Sequence, residues 1–336
     1  MKTYAQKACD ANIAGGCSHL AGIYLGMERD VMKAFALAEK ACAENHGFAC
    51  DWLGGMYQSG DGAAKDPDAA KRLFVKAAEF YRQECDKGYL FYCFRLGLFY
   101  DTGLGVEKDA ARAISLYQQA CDAKIAPACE ELFLSYACDK NAERDEGKAA
   151  QYREKACDAD DSGACFLLGM AYSNAYDGIT KNEAKAASLW QKGCDLNDDA
   201  SCERLGDLYM EGAKGVVRDT QRGAAFHAKT FALQKKGCEN DKYPDACRDL
   251  GETYEEGKIV PRDLALSATA YDMALLQWRR ECDNDDYMSC FALARMYESG
   301  KGVAKDIPQA LKYYDKACQQ YYPGCLFGKS LSEKSE

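Results

Sequence analysis

Nineteen cysteines among 336 residues are the first side chains here whose number and spacing promise chemistry. Seven pairs have seven residues between their members: Cys9/Cys17, Cys42/Cys50, Cys85/Cys93, Cys121/Cys129, Cys157/Cys165, Cys194/Cys202 and Cys282/Cys290. Cys238/Cys247 and Cys318/Cys325 vary that spacing by one residue, and Cys138 has no companion. Cysteines at a repeated spacing can bridge, hold zinc, or pack as reduced apolar side chains. Zinc is poorly served, because no C-x-x-C occurs and only His19, His46 and His227 are available. Four-ligand sites would have to borrow from distant segments, so no metal and no cofactor is expected.

Other catalytic constellations are sparse. The S-x-x-K, S-D-N and K-T-G set of serine acyl transfer does not occur, nor do G-x-S-x-G, H-E-x-x-H or a phosphate-binding loop. The three histidines fall at unrelated repeat positions and read as scattered surface side chains. Glu130-Glu131 and Glu255-Glu256 are adjacent acids, which point apart on a helix and suit a solvated face. No catalytic residue is assigned, and the chain reads as a non-enzyme.

The elements that must hold the cysteines are helices. Alanine, leucine, glutamate and lysine dominate, and runs of Val, Ile and Thr are few. Six prolines and no low-complexity linker suggest one uniform architecture. A net charge of −10 argues against nucleic acid as a partner. No apolar stretch approaches the roughly 18 residues of a membrane span. After the second cysteine of a pair the text C-x-x-L-G-x-x-Y recurs, as in Cys93 to Tyr100 and Cys202 to Tyr209, placing Cys, Leu and Tyr on one helical face. The small residue beside the leucine lets a neighbouring helix approach closely. A glycine turn follows, clearest in Gly103-Leu104-Gly105-Val106 and Gly300-Lys301-Gly302-Val303. An Asp then caps a second helix (Asp66, Asp109, Asp219, Asp263, Asp306) that carries A-x-x-x-Y/W-x-x-A/G-C, as from Ala113 to Cys121.

From cap to helix-ending cysteine the distance is 12 residues in most repeats, as from Asp30 to Cys42, Asp145 to Cys157 and Asn182 to Cys194. It is 19 from Asp66 to Cys85, Asp219 to Cys238 and Asp263 to Cys282. Seven extra residues are close to two helical turns, so the cysteine returns to nearly the same face. The spacing therefore predicts that cysteine orientation is held.

This pattern resembles the Sel1-like repeat family, relatives of the tetratricopeptide repeats. The cysteine spacing is similar to that of its disulfide-rich branch, the Helicobacter cysteine-rich proteins. The likeness runs from about residue 11 to residue 326. It departs at the short first turn, residues 24–29, and where Ala137-Cys138-Asp139-Lys140-Asn141 replaces the turn glycines. The resemblance implies an all-α fold, a right-handed α-solenoid superhelix of about eight helix-turn-helix repeats. These would lie at residues 11–46, 47–89, 90–125, 126–161, 162–198, 199–243, 244–286 and 287–322, with a half-repeat at 323–336, all in one solenoid over 1–336. It also implies that the nine pairs are disulfides, each joining the end of one repeat's second helix to the first helix of the next; zinc and reduced cysteine remain the alternatives. Each bridged loop would be worth roughly 2–3 kcal/mol. Cys138 is expected as a partly buried free thiol, or as the bridge of a homodimer or mixed disulfide.

In the related tetratricopeptide repeats the first helices line a concave surface. Carried over, the residues after the second cysteines and after the L-G pairs face a groove. Phe94, Leu98, Leu134, Phe166 and Met170, with Phe91 beside them, form its apolar half. Glu203, Asp207, Arg248, Glu252 and Arg295 form a charged half. The alternative is that a tightly coiled solenoid buries the apolar set as core. The expected function is a non-catalytic scaffold, periplasmic or secreted, whose groove takes a protein or peptide partner in an immunity, regulatory or adaptor role. No signal-like segment precedes Cys9, so the chain reads as a mature form whose export signal has been removed. Two further readings stand beside it. The resemblance implies a weak β-lactam-binding or β-lactamase-like enzyme, and an oxidising compartment also admits an assembly factor of the mitochondrial intermembrane space.

Overall fold

A computed structural model describes residues 2–28, 30–138, 141–175, 179–240, 242–284 and 286–318. Among them regular structure is helical throughout, apart from an isolated bridge between Ala213 and Val216. First helices of the repeats are α2 (Ala14–Ile23), α4 (Gly47–Ser59), α6 (Leu90–Thr102), α8 (Ala126–Ala137), α10 (Ser162–Asn174), α12 (Asp199–Glu211), α14 (Pro244–Glu256) and α16 (Tyr287–Ser299). Second helices are α1 (Lys2–Asp10), α3 (Val31–Ala43), α5 (Pro67–Asp86), α7 (Ala110–Asp122), α9 (Glu146–Asp158), α11 (Glu183–Asp195), α13 (Thr220–Glu239), α15 (Leu264–Asp283) and α17 (Ile307–Cys318). The chain divides into two compact units, Met1–Thr180 with α1 to α10 and Lys181–Glu336 with α11 to α17.

Each second helix from α3 to α17 starts where an acceptor side chain closes its first turn. Asp30, Asp66, Asp109, Asp145, Asn182, Asp219, Asp263 and Asp306 each accept from a backbone N–H three residues on. Seven of the second helices, α1, α3, α5, α7, α9, α11 and α13, are followed by a left-handed residue that fixes the next helix. Asn12, Asn45, Gly88, Lys124, Asp160 and Asn197 all have positive φ and all stand three residues after the first cysteine of a pair. The following N–H reaches five residues back to close the helix end, as from Ile125 to Ala120 at 3.0 Å. In the pair spaced one residue wider the left-handed residue, Lys242, comes four after Cys238. The cysteine spacing is thus the length of this turn plus one helical turn on either side.

Eight disulfides occupy the junctions: Cys9–Cys17, Cys42–Cys50, Cys85–Cys93, Cys121–Cys129, Cys157–Cys165, Cys194–Cys202, Cys238–Cys247 and Cys282–Cys290, with Cα–Cα distances of 4.4–4.8 Å. Cys325, and with it the ninth pair, lies outside the described residues. Cys138 caps α8 as an exposed free thiol, not a partly buried one.

The long helices α5, α13 and α15 have 20 residues where α7, α9 and α11 have 13. A lysine ten residues after the cap locates the insertion. Lys40 donates to the Cys9 carbonyl at 3.1 Å, Lys76 to that of Cys42 at 2.6 Å, Lys229 to that of Cys194 at 2.6 Å and Lys316 to that of Cys282 at 2.5 Å. Each cation meets the carbonyl end of the preceding second helix, where the helix dipole favours it. Because the cap-to-lysine distance is the same in α3 and α5, the two extra turns lie between lysine and cysteine. They run along the disulfide-bearing start of the first helix of the same repeat.

Within a repeat the L-G glycine is bare because a ring lies on it. A Cβ at Gly97 would stand 2.6 Å from the Tyr117 ring, and Tyr117 is fully buried. The second turn glycine packs between repeats: Gly105 has φ +67 and its Cβ would meet the Phe74 carbonyl carbon at 2.3 Å. Both left-handed strain and a backbone clash therefore oppose Gly105→Ala, which is expected to cost on the order of 2–4 kcal/mol in urea unfolding. Gly55→Ala, in a helix with open space around its Cβ, is the control and should be neutral or stabilising by about 0.5–1 kcal/mol. Equal effects at the two sites would contradict this packing.

Candidate binding cleft

In three repeats the slot eight residues after the cap holds the ring that covers the L-G glycine: Phe74 over Gly54, Tyr117 over Gly97 and Tyr271 over Gly251. His227 fills the same slot. It is buried, lies over Gly206 and sits 3.1 Å from the Asp207 carboxylate. The expectation of a scattered surface histidine is therefore corrected for His227, whose repeat position was the available signal. Burial raises the Asp207 carboxyl, but hydrogen bonds from His227 and Lys258 outweigh that and hold it below its ordinary value. Glu255 is also engaged, accepting from the Tyr271 hydroxyl at 2.7 Å.

The predicted apolar groove residues divide. Phe91 and Leu134 are exposed, at 44% and 38%, and Leu98, Phe166 and Met170 are half-buried. Phe94 is buried at 8%, its ring 6.1 Å from those of both Phe91 and Tyr117. For Phe94 the core alternative applies and the groove assignment is corrected: the ring from α7 covers it.

Arg248 and Arg295, from the charged half, meet in a cleft of about 700 Å³ within the second unit. The start of α14, the extra turns of α15, and α16 with its following turn form the walls. Trp278, Met288, Phe291, Ala292 and Met296 supply the apolar lining; Asp245, Asp249, Glu252, Glu281 and Asp286 face Arg248, Arg295 and Lys301. Arg248 donates to Asp245 and Asp249, both at 2.8 Å, and its guanidinium lies 5.9 Å from the Trp278 ring. Lys301 reaches Glu252 at 2.8 Å. The Ser289 hydroxyl is engaged by Glu281 at 2.8 Å and Asp286 at 2.9 Å.

The cleft's origin is legible by comparison with the long-helix junction in the first unit. Fifteen residues after the cap, Tyr81 on α5 and Trp278 on α15 both face the residue after the second cysteine of the preceding pair, Asp51 and Arg248. At the α5 junction Tyr81 donates to Asp51 at 2.9 Å, Arg95 pairs with Asp51, and the Arg95 guanidinium lies 5.6 Å from the Phe48 ring and 5.7 Å from that of Tyr81. Tyr92 packs on both rings, 5.7 Å from Phe48 and 6.1 Å from Tyr81. In the α15 junction Asp245 stands in the place of Phe48, Ser289 in that of Tyr92 and Ala292 in that of Arg95. All three line the open volume. Two smaller side chains and one acid leave open what aromatic rings and an arginine fill elsewhere. Sequence reading took Trp278 as core reinforcement of a long helix, which its burial matches, but missed Ser289 and Ala292, whose small size has meaning only beside Tyr92 and Arg95.

Burial pushes the Asp249 carboxyl up to about 6 against the opposing pull of Arg248. The folded protein thus holds this proton more tightly than the unfolded chain does. That contribution favours folding below about pH 4 and is lost as pH rises through about 6. Relative to Asp249→Asn, which keeps an oxygen acceptor for Arg248, the wild type should lose stability between pH 4 and 7 in urea midpoints. A difference flat across that range would contradict the burial argument.

Helix pairs stacked on one another within each unit define the class: an α-solenoid of helix-turn-helix repeats. The Sel1 repeat family model matches residues 10–46, 47–79, 91–124, 126–161, 162–198, 199–233, 244–269 and 288–322, and the chain belongs to the Sel1 repeat family. A Sel1 repeat protein from Oxalobacter formigenes is 22% identical with a TM-score of 0.45, covering 98% of this chain and 89% of that one. Helicobacter pylori cysteine rich protein B is 32% identical with a TM-score of 0.30, over 42% of this chain and 93% of that one. Among curated relatives, cytochrome c oxidase assembly factor 7 of Xenopus tropicalis is 37% identical over 90 residues, 26% of this chain. The match spans 39% of that relative's length.

Proposed function

We propose that this Sel1 repeat protein is a non-catalytic binding scaffold of an oxidising compartment, periplasmic or extracellular, and that the α14–α16 cleft takes a segment of a protein partner. The open cleft carries the reading: a concave, half-apolar volume of about 700 Å³ lies where the comparable junction is filled, and such a volume suits a few side chains of a partner. Eight disulfides suit an oxidising environment. Panning random 12-residue peptides on the oxidised chain, in parallel with Ser289→Tyr/Ala292→Arg, tests it. Peptides enriched only on the wild type are expected; no cleft-dependent enrichment sinks the proposal.

The β-lactam alternative draws no support from the cleft, where the Ser289 hydroxyl is bound to two carboxylates and that of Ser299 donates to the Arg295 carbonyl. Nitrocefin turnover by oxidised protein, absent from a reduced control, would revive it. An assembly-factor role is favoured by one observation, the 37% identity over 90 residues to a cytochrome c oxidase assembly factor. It too would require a protein-binding surface.

A further inference from the structure

The charge and shape of the cleft say more about what would enter it. At the α5 junction the protein supplies its own cation: the Arg95 guanidinium lies between two rings and pairs with Asp51. At the α15 junction Ala292 has withdrawn that side chain, and the carboxylate of Asp245 replaces the Phe48 ring. Arg248 partly compensates from the other wall, 5.9 Å from the Trp278 ring and bound to Asp245 and Asp249. Among the described residues the lining carries five carboxylates, on Asp245, Asp249 and Glu252 of α14, Glu281 of α15 and Asp286 before α16, against three cations, Arg248 of α14, Arg295 of α16 and Lys301 of the following turn. Among these residues the excess is two negative charges, beside an apolar wall of half-buried Phe291 and exposed Met288, with Trp278 buried behind it. Carboxylates that outnumber the cations beside them attract a cation, and an apolar wall favours one that also brings hydrocarbon.

We infer that the cleft recognises a peptide segment presenting a lysine or arginine next to an apolar side chain, the cation entering the space that Arg95 fills in the closed junction. This rests on the cleft being the partner site, and it fixes the chemistry of what binds there. A segment of opposite charge would meet five carboxylates at short range.

Three fluorescein-labelled 12-residue peptides on one leucine-containing scaffold test the inference, carrying lysine, glutamine or glutamate at the same positions. Each is titrated by anisotropy against the oxidised full chain, Asp245→Asn/Glu252→Gln, and Ser289→Tyr/Ala292→Arg, with helicity checked by circular dichroism. The lysine peptide is expected to bind at least tenfold tighter than the glutamine peptide, with the glutamate peptide weakest. The Asp245→Asn/Glu252→Gln protein should lose most of that preference, and the filled cleft should lose the binding. Equal binding of the lysine peptide to the filled variant would assign it to the general acidic field and overturn the inference. Tighter binding of the glutamine or glutamate peptide, lost on filling the cleft, would overturn the charge preference and leave the cleft as a binding site. If no peptide of any charge depends on the open cleft, both readings fall.

Discussion

Reduction is expected to unfold this protein at room temperature. Each disulfide closes a loop of about nine residues, which the chain-entropy model values at roughly 2–3 kcal/mol. Repeats of a solenoid contact only their neighbours, so losses at successive junctions accumulate instead of being absorbed by one core. Across eight junctions the nominal sum reaches about 20 kcal/mol, more than the roughly 5–15 kcal/mol by which most domains are stable. Even with the discount that residual unfolded-state structure demands, the balance tips. Far-UV circular dichroism with and without a phosphine reductant reads the result directly: most helical signal should go, and urea midpoints should collapse. Removing one bridge, as in Cys121→Ser/Cys129→Ser, should cost about 2–3 kcal/mol, while Cys138→Ser at the exposed thiol should cost almost nothing. Unchanged melting after verified reduction would mean that apolar packing alone holds the repeats.

Filling the cleft is expected to abolish partner binding while leaving the protein folded. Ser289→Tyr/Ala292→Arg transplants the pair of side chains that closes the α5 junction onto a backbone with the same helix lengths and, at the grafted bridge Cys282–Cys290, the same cysteine spacing as Cys85–Cys93. The new arginine would find carboxylates, since Asp245, Glu252 and Glu281 line the space. Ser289 now donates to Glu281 and Asp286, so some cost at that position is anticipated; Ala292→Arg alone is the milder variant. The affinity of any cleft-selected peptide should fall at least about 100-fold, near 2.7 kcal/mol and within the range of a central interface residue. A variant that unfolds at the same urea concentration yet binds as before would remove the cleft from the account.

Much of this architecture is written in the sequence because repeats print their geometry many times over. Cysteine spacing, cap position and turn glycines each recur, and each has one local cause: a left-handed turn, an orphan N–H group, a backbone approach. The seven-residue insertion was readable as whole helical turns, and the lysine at cap plus ten locates it within the helix. Groove residues were less legible. Phe94 and Leu134 occupy comparable surface-facing registers, yet one is covered by Tyr117 and the other is open. Whether a given ring is covered depends on the helix that follows, which periodicity on one helix does not report. His227 illustrates the same point: as a residue type it suggested surface, and as the occupant of the glycine-covering slot it had to be core. The cleft arises where small residues replace large ones at Ser289 and Ala292, and those positions acquire meaning only beside Tyr92 and Arg95.

The chain has three tryptophans, and one of them, Trp278, lines the cleft. Protein labelled with ¹⁵N in tryptophan therefore gives three indole N–H signals, from Trp52 on α4, Trp190 on α11 and Trp278 on α15. Titrating the oxidised protein with a peptide recovered by cleft-dependent panning should move the Trp278 signal and leave the other two in place. Movement of Trp52 or Trp190 alone, or saturation binding that moves none of the three, would contradict the cleft as the partner site.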